Sequence, residues 1–222
     1  MDKHTAYFNL QEALPQPGCA ICRLGHAVEV KYIEDVLYSK TTAIETRAEW
    51  RASRGLCPAH ARQLDQIGHA LGVSLFYQDI LLTVRELLEK PSRQQASPRR
   101  KKALAGTLSP QIECPACAYR DSLEAVYIEV WLDHILERAF LESVQAADPL
   151  CLPHLRQAIL QAPDAERLER LRQVQLAHWE TLIAELAEFV RKNDYRFQHE
   201  PVGHEGTAWL RAVDAVSGTR NL

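Results

Sequence analysis

No stretch of the 222 residues approaches the roughly 18 consecutive apolar positions that a membrane-crossing helix needs. The opening residues, Met1 to Leu14, lack a basic segment followed by an apolar core, so no secretion signal is visible and a cytoplasmic location is expected. An excess of positive charge is missing too. The formal net charge is -3 and the pI about 6.3, which excludes a generally basic nucleic-acid binder and leaves only a local role of that kind. Glycine is scarce, at nine residues, and the 46% hydrophobic content is that of an ordinary globular protein, so disorder is not the expectation. A glycine-rich phosphate loop, a serine nucleophile motif and paired carboxylates are all absent, which argues against an enzyme. His199-Glu200 and His204-Glu205 do not make an HExxH protease motif, because the histidines are five apart and Pro201 and Gly203 break the helix it requires.

Helical periodicity dominates what is present. Val73, Phe76, Tyr77, Ile80, Leu81, Val84, Leu87 and Leu88 recur at three- and four-residue steps, giving a helix that ends before Pro91. Trp179, Leu182, Ile183, Leu186, Phe189 and Val190 repeat the pattern on a helix starting near Pro163 and Asp164. No strand pair is evident. Residues 91–112 carry Arg93, Arg99, Arg100, Lys101 and Lys102 among Pro, Ser, Gln and Gly, and read as a flexible, exposed basic linker. His26, His69, His134 and His178 have no partner at metal spacing, and Trp50, Trp131, Trp179 and Trp209 read as packing residues, with Trp209 anchoring the carboxy-terminal tail.

The six cysteines all fall in four short motifs. Cys19-Ala-Ile-Cys22 and Cys57-Pro-Ala-His60 precede the linker; Cys114-Pro-Ala-Cys117 and Cys151-Leu-Pro-His154 follow it. Matching positions are 95 residues apart in the first pair and 94 in the second, which marks a duplication. A CxxC turn brings two sulfurs within reach of one ion, and CxxH adds a third sulfur and an imidazole nitrogen. In a reducing compartment such cysteines are metal ligands or redox groups more often than disulfides. Pro58, Pro115 and Pro153 suit helix starts, whose free N–H groups stabilise thiolates.

Because 34 residues separate Cys22 from Cys57, the chain between them must turn back. The expected reversal is Ser39-Lys40-Thr41-Thr42, with Thr42 and Glu45 as a capping box. Its counterpart near Asp133 and His134 has no Gly or Pro and is inferred only. Closure of each site within its own repeat is the favoured pairing; the CxxC of one repeat with the CxxH of the other is the alternative.

The chain resembles an uncharacterised bacterial family, a domain of unknown function, whose members carry the same duplicated motif. The resemblance rests on Cys19-Ala-Ile-Cys22, Gly55-Leu-Cys57-Pro-Ala-His60, Leu71-Gly72-Val73, Cys114-Pro-Ala-Cys117 and Cys151-Leu-Pro-His154, with Asp194-Tyr195-Arg196-Phe197, Gly203 and Ala212 to Gly218 near the end. The chain departs from the family in its basic linker and in lacking a Gly-Pro turn in the first hairpin. The resemblance implies a helical fold with metal ligands and brings no activity with it.

The reading is therefore an all-α protein of two tandem helical repeats, 1–90 and 113–197, each with a Cys3His metal site, followed by a tail, 198–222, packing on the body. Cys19, Cys22, Cys57, His60, Cys114, Cys117, Cys151 and His154 are the expected ligands of two zinc ions per chain. The expected role is a binding or scaffold module for a protein partner or a second copy. The alternatives are an iron–sulfur or dithiol redox protein, and a nucleic-acid-associated factor using the basic linker.

Overall fold

Four of the helices begin where the cysteine motifs lie, and that fact organises the molecule. The computed structural model describes residues 1–89 and 98–219, the side chain of Arg100 apart. Among these there are eleven α-helices and no strand: α1 (Lys3–Ala13), α2 (Ala20–Ser39), α3 (Ile44–Ala52), α4 (Pro58–Ile67), α5 (Ala70–Glu89), α6 (Pro98–Leu108), α7 (Pro115–His134), α8 (Arg138–Ala146), α9 (Leu152–Gln161), α10 (Ala165–Lys192) and α11 (Ala208–Ser217), with a 3₁₀ turn at His204–Thr207. No helix among the described residues is long and apolar enough to cross a membrane.

The chain forms two compact units, residues 1–26 with 122–222, and 27–121, so the division falls inside α2 and α7. In the first unit the core is built from Leu10 and Leu14, Ile21, Tyr127, Ile128, Trp131, Ile135, Phe140 and Leu150. In the second it is built from Ile33, Val36, Leu37, Trp50, Phe76 and Ile80. Trp50 stacks at 4.3 Å on Phe76, and α3 packs along α5. Helices α2 and α5 approach so closely at Gly72 that a Cβ there would lie 2.5 Å from the Leu37 carbonyl oxygen, which explains the glycine in mid-helix against its unfavourable propensity.

The chain leaves α2 at Ser39 and restarts at Ile44, so the expected reversal is where the spacing required it. The capping box does not form: Ala43 is the N-cap of α3 and makes no side-chain cap bond. The start one residue later leaves Thr42 outside the helix, and its hydroxyl cannot serve as the cap. The inferred second break lies between α7 and α8, and needs neither Gly nor Pro. Glu137 donates its N–H to the His134 carbonyl at 2.9 Å, and its carboxylate meets His134 Nδ1 at 2.8 Å.

Of the basic linker, 91–97 lie outside the described residues, while Pro98–Leu108 is helical, with Lys101 and Lys102 exposed. Its end is held by Arg54 Nη2 donating to the Thr107 carbonyl at 2.8 Å and Gln111 N–H donating to Ala52 O at 2.8 Å. Trp50 and Trp131 are buried, and Trp209, on α11, is half exposed. In the carboxy-terminal segment Lys192 binds Glu205 at 2.7 Å, and α11 packs on α9 and α10.

Candidate metal centres

Each motif places its first cysteine immediately before a helix and its last residue at the third helical position. Cys57 and Cys151 are the N-caps of α4 and α9, Cys19 and Cys114 precede α2 and α7, and Cys22, His60, Cys117 and His154 follow one turn on. A proline in the first turn loses no helical bond there, so Pro58, Pro115 and Pro153 fit the local structure. The sulfurs consequently lie at helix N-termini, where unpaired N–H groups and the helix dipole favour negative charge.

The structure gathers these eight side chains into two groups. One holds Cys19, Cys22, Cys151 and His154; the other Cys57, His60, Cys114 and Cys117; within each, the four possible ligand atoms lie within 4.8 Å of one another. Closure within a repeat is thus overturned. Each CxxC meets the CxxH of the other half of the sequence, and each group lies within one compact unit. The physical reason is that α2 and α7 are both 20 residues long and carry the chain about 30 Å away from its own CxxC before it turns.

Distances within the groups are those of a single tetrahedral centre. His154 Nδ1 lies 3.4 Å from Cys19 Sγ, 3.4 Å from Cys22 Sγ and 3.1 Å from Cys151 Sγ, and Cys22 and Cys151 sulfurs are 3.6 Å apart. His60 Nδ1 lies 3.3 Å from Cys57 Sγ, 3.5 Å from Cys114 Sγ and 3.4 Å from Cys117 Sγ, and Cys57 and Cys117 sulfurs are 3.8 Å apart. For an ion with metal–sulfur bonds of about 2.3 Å and metal–nitrogen bonds of about 2.0 Å, tetrahedral edges are about 3.8 Å between sulfurs and about 3.5 Å from sulfur to nitrogen. The donor set therefore fits one metal ion per group.

Behind each imidazole stands a carboxylate that sequence reading missed. His60 Nε2 meets Glu29 Oε2 at 2.7 Å, and His154 Nε2 meets Glu124 Oε2 at 3.2 Å. Both glutamates are buried, at 6% and 5% exposure. Such a carboxylate fixes the tautomer, keeps the proton on Nε2 and leaves Nδ1 free to bind metal. Glu29 also accepts from Gln63 Nε2 at 2.9 Å and pairs with Arg120 at 3.4 Å. A signal was present in the sequence: Glu29 and Glu124 are separated by the same 95 residues as Cys19 and Cys114.

The side chains of each group strongly shift one another's protonation. His60 is drawn up to about 10, first by Cys114 and then by Glu29. Burial opposes charge on His154, yet Cys19, Cys22 and Glu124 together raise it to about 12. Cys22 is held far below the usual thiol range by hydrogen bonds with Cys151 and Cys19, while those two neighbours Cys19 and Cys22 push Cys151 up. Burial works against ionisation of Cys114, but His60 and backbone N–H groups bring it down to about 6; burial and then the Cys114 charge push Cys117 up to about 12. Three sulfurs so close share negative charge readily only around a positive ion, and metal binding at such a set displaces protons.

A family model described as "Family of unknown function (DUF6062)" matches residues 1–221. Among curated proteins the chain is similar to an "Uncharacterized 23.9 kDa protein in xynA 3'region" of Caldicellulosiruptor sp. (strain Rt8B.4), with 25% identity over 211 residues, covering 94% of this chain and 99% of that protein. No solved structure matches.

Proposed function

The chain belongs to this family of unknown function, DUF6062, and for this member we propose a metal-binding helical protein holding two structural zinc ions, one in each Cys3His group, and working as a binding or scaffold module. The observation that carries the reading is the spacing of three sulfurs and one Nδ1 in each group, which suits a mononuclear tetrahedral ion. An iron–sulfur cluster spreads its four ligands over several irons, and the 4.8 Å within which all four donors of each group lie favours a single ion instead. With four protein donors the ion has no open position for an activated water, so hydrolysis at the metal is not expected. Each ion with three thiolates and a neutral imidazole carries a net charge of about -1 and ties two helix starts together.

A role in binding is supported by the outer face of α10. Leu176, Ile183 and Val190, at seven-residue steps, are 40%, 64% and 71% exposed. Spacing of that kind suits a partner helix or a second copy of the chain.

The test is metal analysis and a visible spectrum of protein purified without oxygen. Two zinc ions per chain and no colour are the expected result. Bound iron with visible absorbance, or a protein that carries no metal, overturns the proposal.

A further inference from the structure

The duplication makes two sites from the same four motifs, but the surroundings of the two are not the same. In the Cys19, Cys22, Cys151 and His154 group three of the four side chains are buried; in the Cys57, His60, Cys114 and Cys117 group only the histidine is. The difference has a structural origin. Cys22, the one residue of the first group that is only partly buried, has its Sγ under the chain at Gly218: a Cβ built there would be 3.5 Å from it and 4.0 Å from Cys151 Sγ. Gly218 has φ +89°, a conformation natural to glycine, and so brings bare backbone against the sulfurs. The next residue, Thr219, accepts the N–H of Cys19 on its Oγ1 at 3.1 Å. The loop before Cys19 is also pinned, with the Arg23 guanidinium donating to the carbonyls of Ala13, Pro17 and Gly18, and Gly18 N–H donating to Asp148 at 2.6 Å.

Among the described residues, the other group lacks these devices. The residue that corresponds to Arg23 in the repeat is Ala118, and the tail that supplies Gly218 and Thr219 follows the second repeat alone. Thiolates react according to their charge and accessibility, whether towards electrophiles or towards a competing metal ligand.

Resting on the zinc reading, we propose that the two sites do different work. The site of Cys19, Cys22, Cys151 and His154 is a permanent tie, and that of Cys57, His60, Cys114 and Cys117 is a thiol-modification site that releases its ion when oxidised by hydrogen peroxide. One thiolate of the Cys114 and Cys117 pair attacks a peroxide oxygen; the O–O bond breaks, a sulfenic acid forms and hydroxide leaves. The second thiolate attacks that sulfur, an S–S bond forms, and a second hydroxide leaves. Two electrons pass from the sulfur pair to the peroxide, and the dication, left with two of its four donors, departs into water. Both sulfurs lie within the 4.8 Å span of the group.

The experiment treats the full-length, metal-loaded protein with hydrogen peroxide, follows released zinc with a chromogenic chelator, and maps cysteine oxidation by mass spectrometry. One ion per chain should leave about tenfold faster than the other, with a Cys114–Cys117 disulfide formed while Cys19, Cys22 and Cys151 stay reduced. Thr219→Ala should then speed release of the slower ion by removing the acceptor of the Cys19 N–H. Release of both ions at one rate, or oxidation of Cys19, Cys22 or Cys151 first, overturns the inference and leaves the two-zinc reading standing. An unchanged slow phase in Thr219→Ala refutes protection by the tail. Untreated protein without two zinc ions defeats both readings together.

Discussion

Glu29 and Glu124 each hold an imidazole by its far nitrogen, so the metal-facing nitrogen is presented in one orientation and one tautomer. Two neighbours crowd them differently. Arg120 pairs with Glu29, whereas the position 95 residues before it is Gly25, where a Cβ would come within 2.2 Å of Glu124 Oε1. On the zinc reading, Glu124→Gln keeps the shape and removes the charge, and should lower zinc affinity at its site by about 10- to 100-fold without loss of helix content. Competition against a chelator of known affinity, alongside circular dichroism, measures both. An affinity within twofold of the parent protein would show that Glu124 does not act through His154.

Among the elements, the carboxy-terminal segment is joined to α10 by packing and by several ion pairs, of which Lys192–Glu205 is the most buried. Glu205 is only 9% exposed, accepts from Lys192 at 2.7 Å and takes the Gly203 N–H at 2.8 Å. Lys192 first, and then the Gly203 amide, hold its carboxyl at about 2, against an ordinary 4.5. A folded-state value below the unfolded one gives stability that is complete above pH 4.5 and is lost as the pH falls towards 2. Glu205→Gln should therefore melt earlier than the parent at pH 7, and the difference should shrink as pH drops below 4.5. Thermal melts across that range decide it; a difference that does not change with pH assigns the effect to packing instead. Much at this scale was legible in sequence. The long helices announce themselves by apolar residues at three- and four-residue steps, and the Asp164 cap of α10 accepts the Arg167 N–H at 2.8 Å. The false capping box at Thr42 shows the limit, since a pattern of residue types fits several registers and packing selects one.

For the whole molecule, the crossed pairing decides which part of the chain depends on which cysteine. Cys114 belongs to the second half of the sequence, but its sulfur lies with Cys57 and His60 in the unit spanning 27–121. On the zinc reading, Cys114→Ser should then lose one of the two ions and loosen α3, α4 and α5, which precede the substitution by dozens of residues, while α8, α9 and α10 stay protected. Hydrogen exchange read by mass spectrometry distinguishes the outcomes. Loss of protection across α9 and α10, with α4 intact, would contradict the pairing.

The sequence by itself determined the helical class, the duplicated motifs, the eight candidate ligands and the need for a reversal after α2, because periodicity, motif spacing and helix rise are local quantities. The tertiary structure alone decided how the motifs combine, which carboxylates stand behind the histidines and which group the tail covers. Those facts depend on where 20-residue helices deliver their ends, and residues 95 apart in sequence meet or separate only through packing.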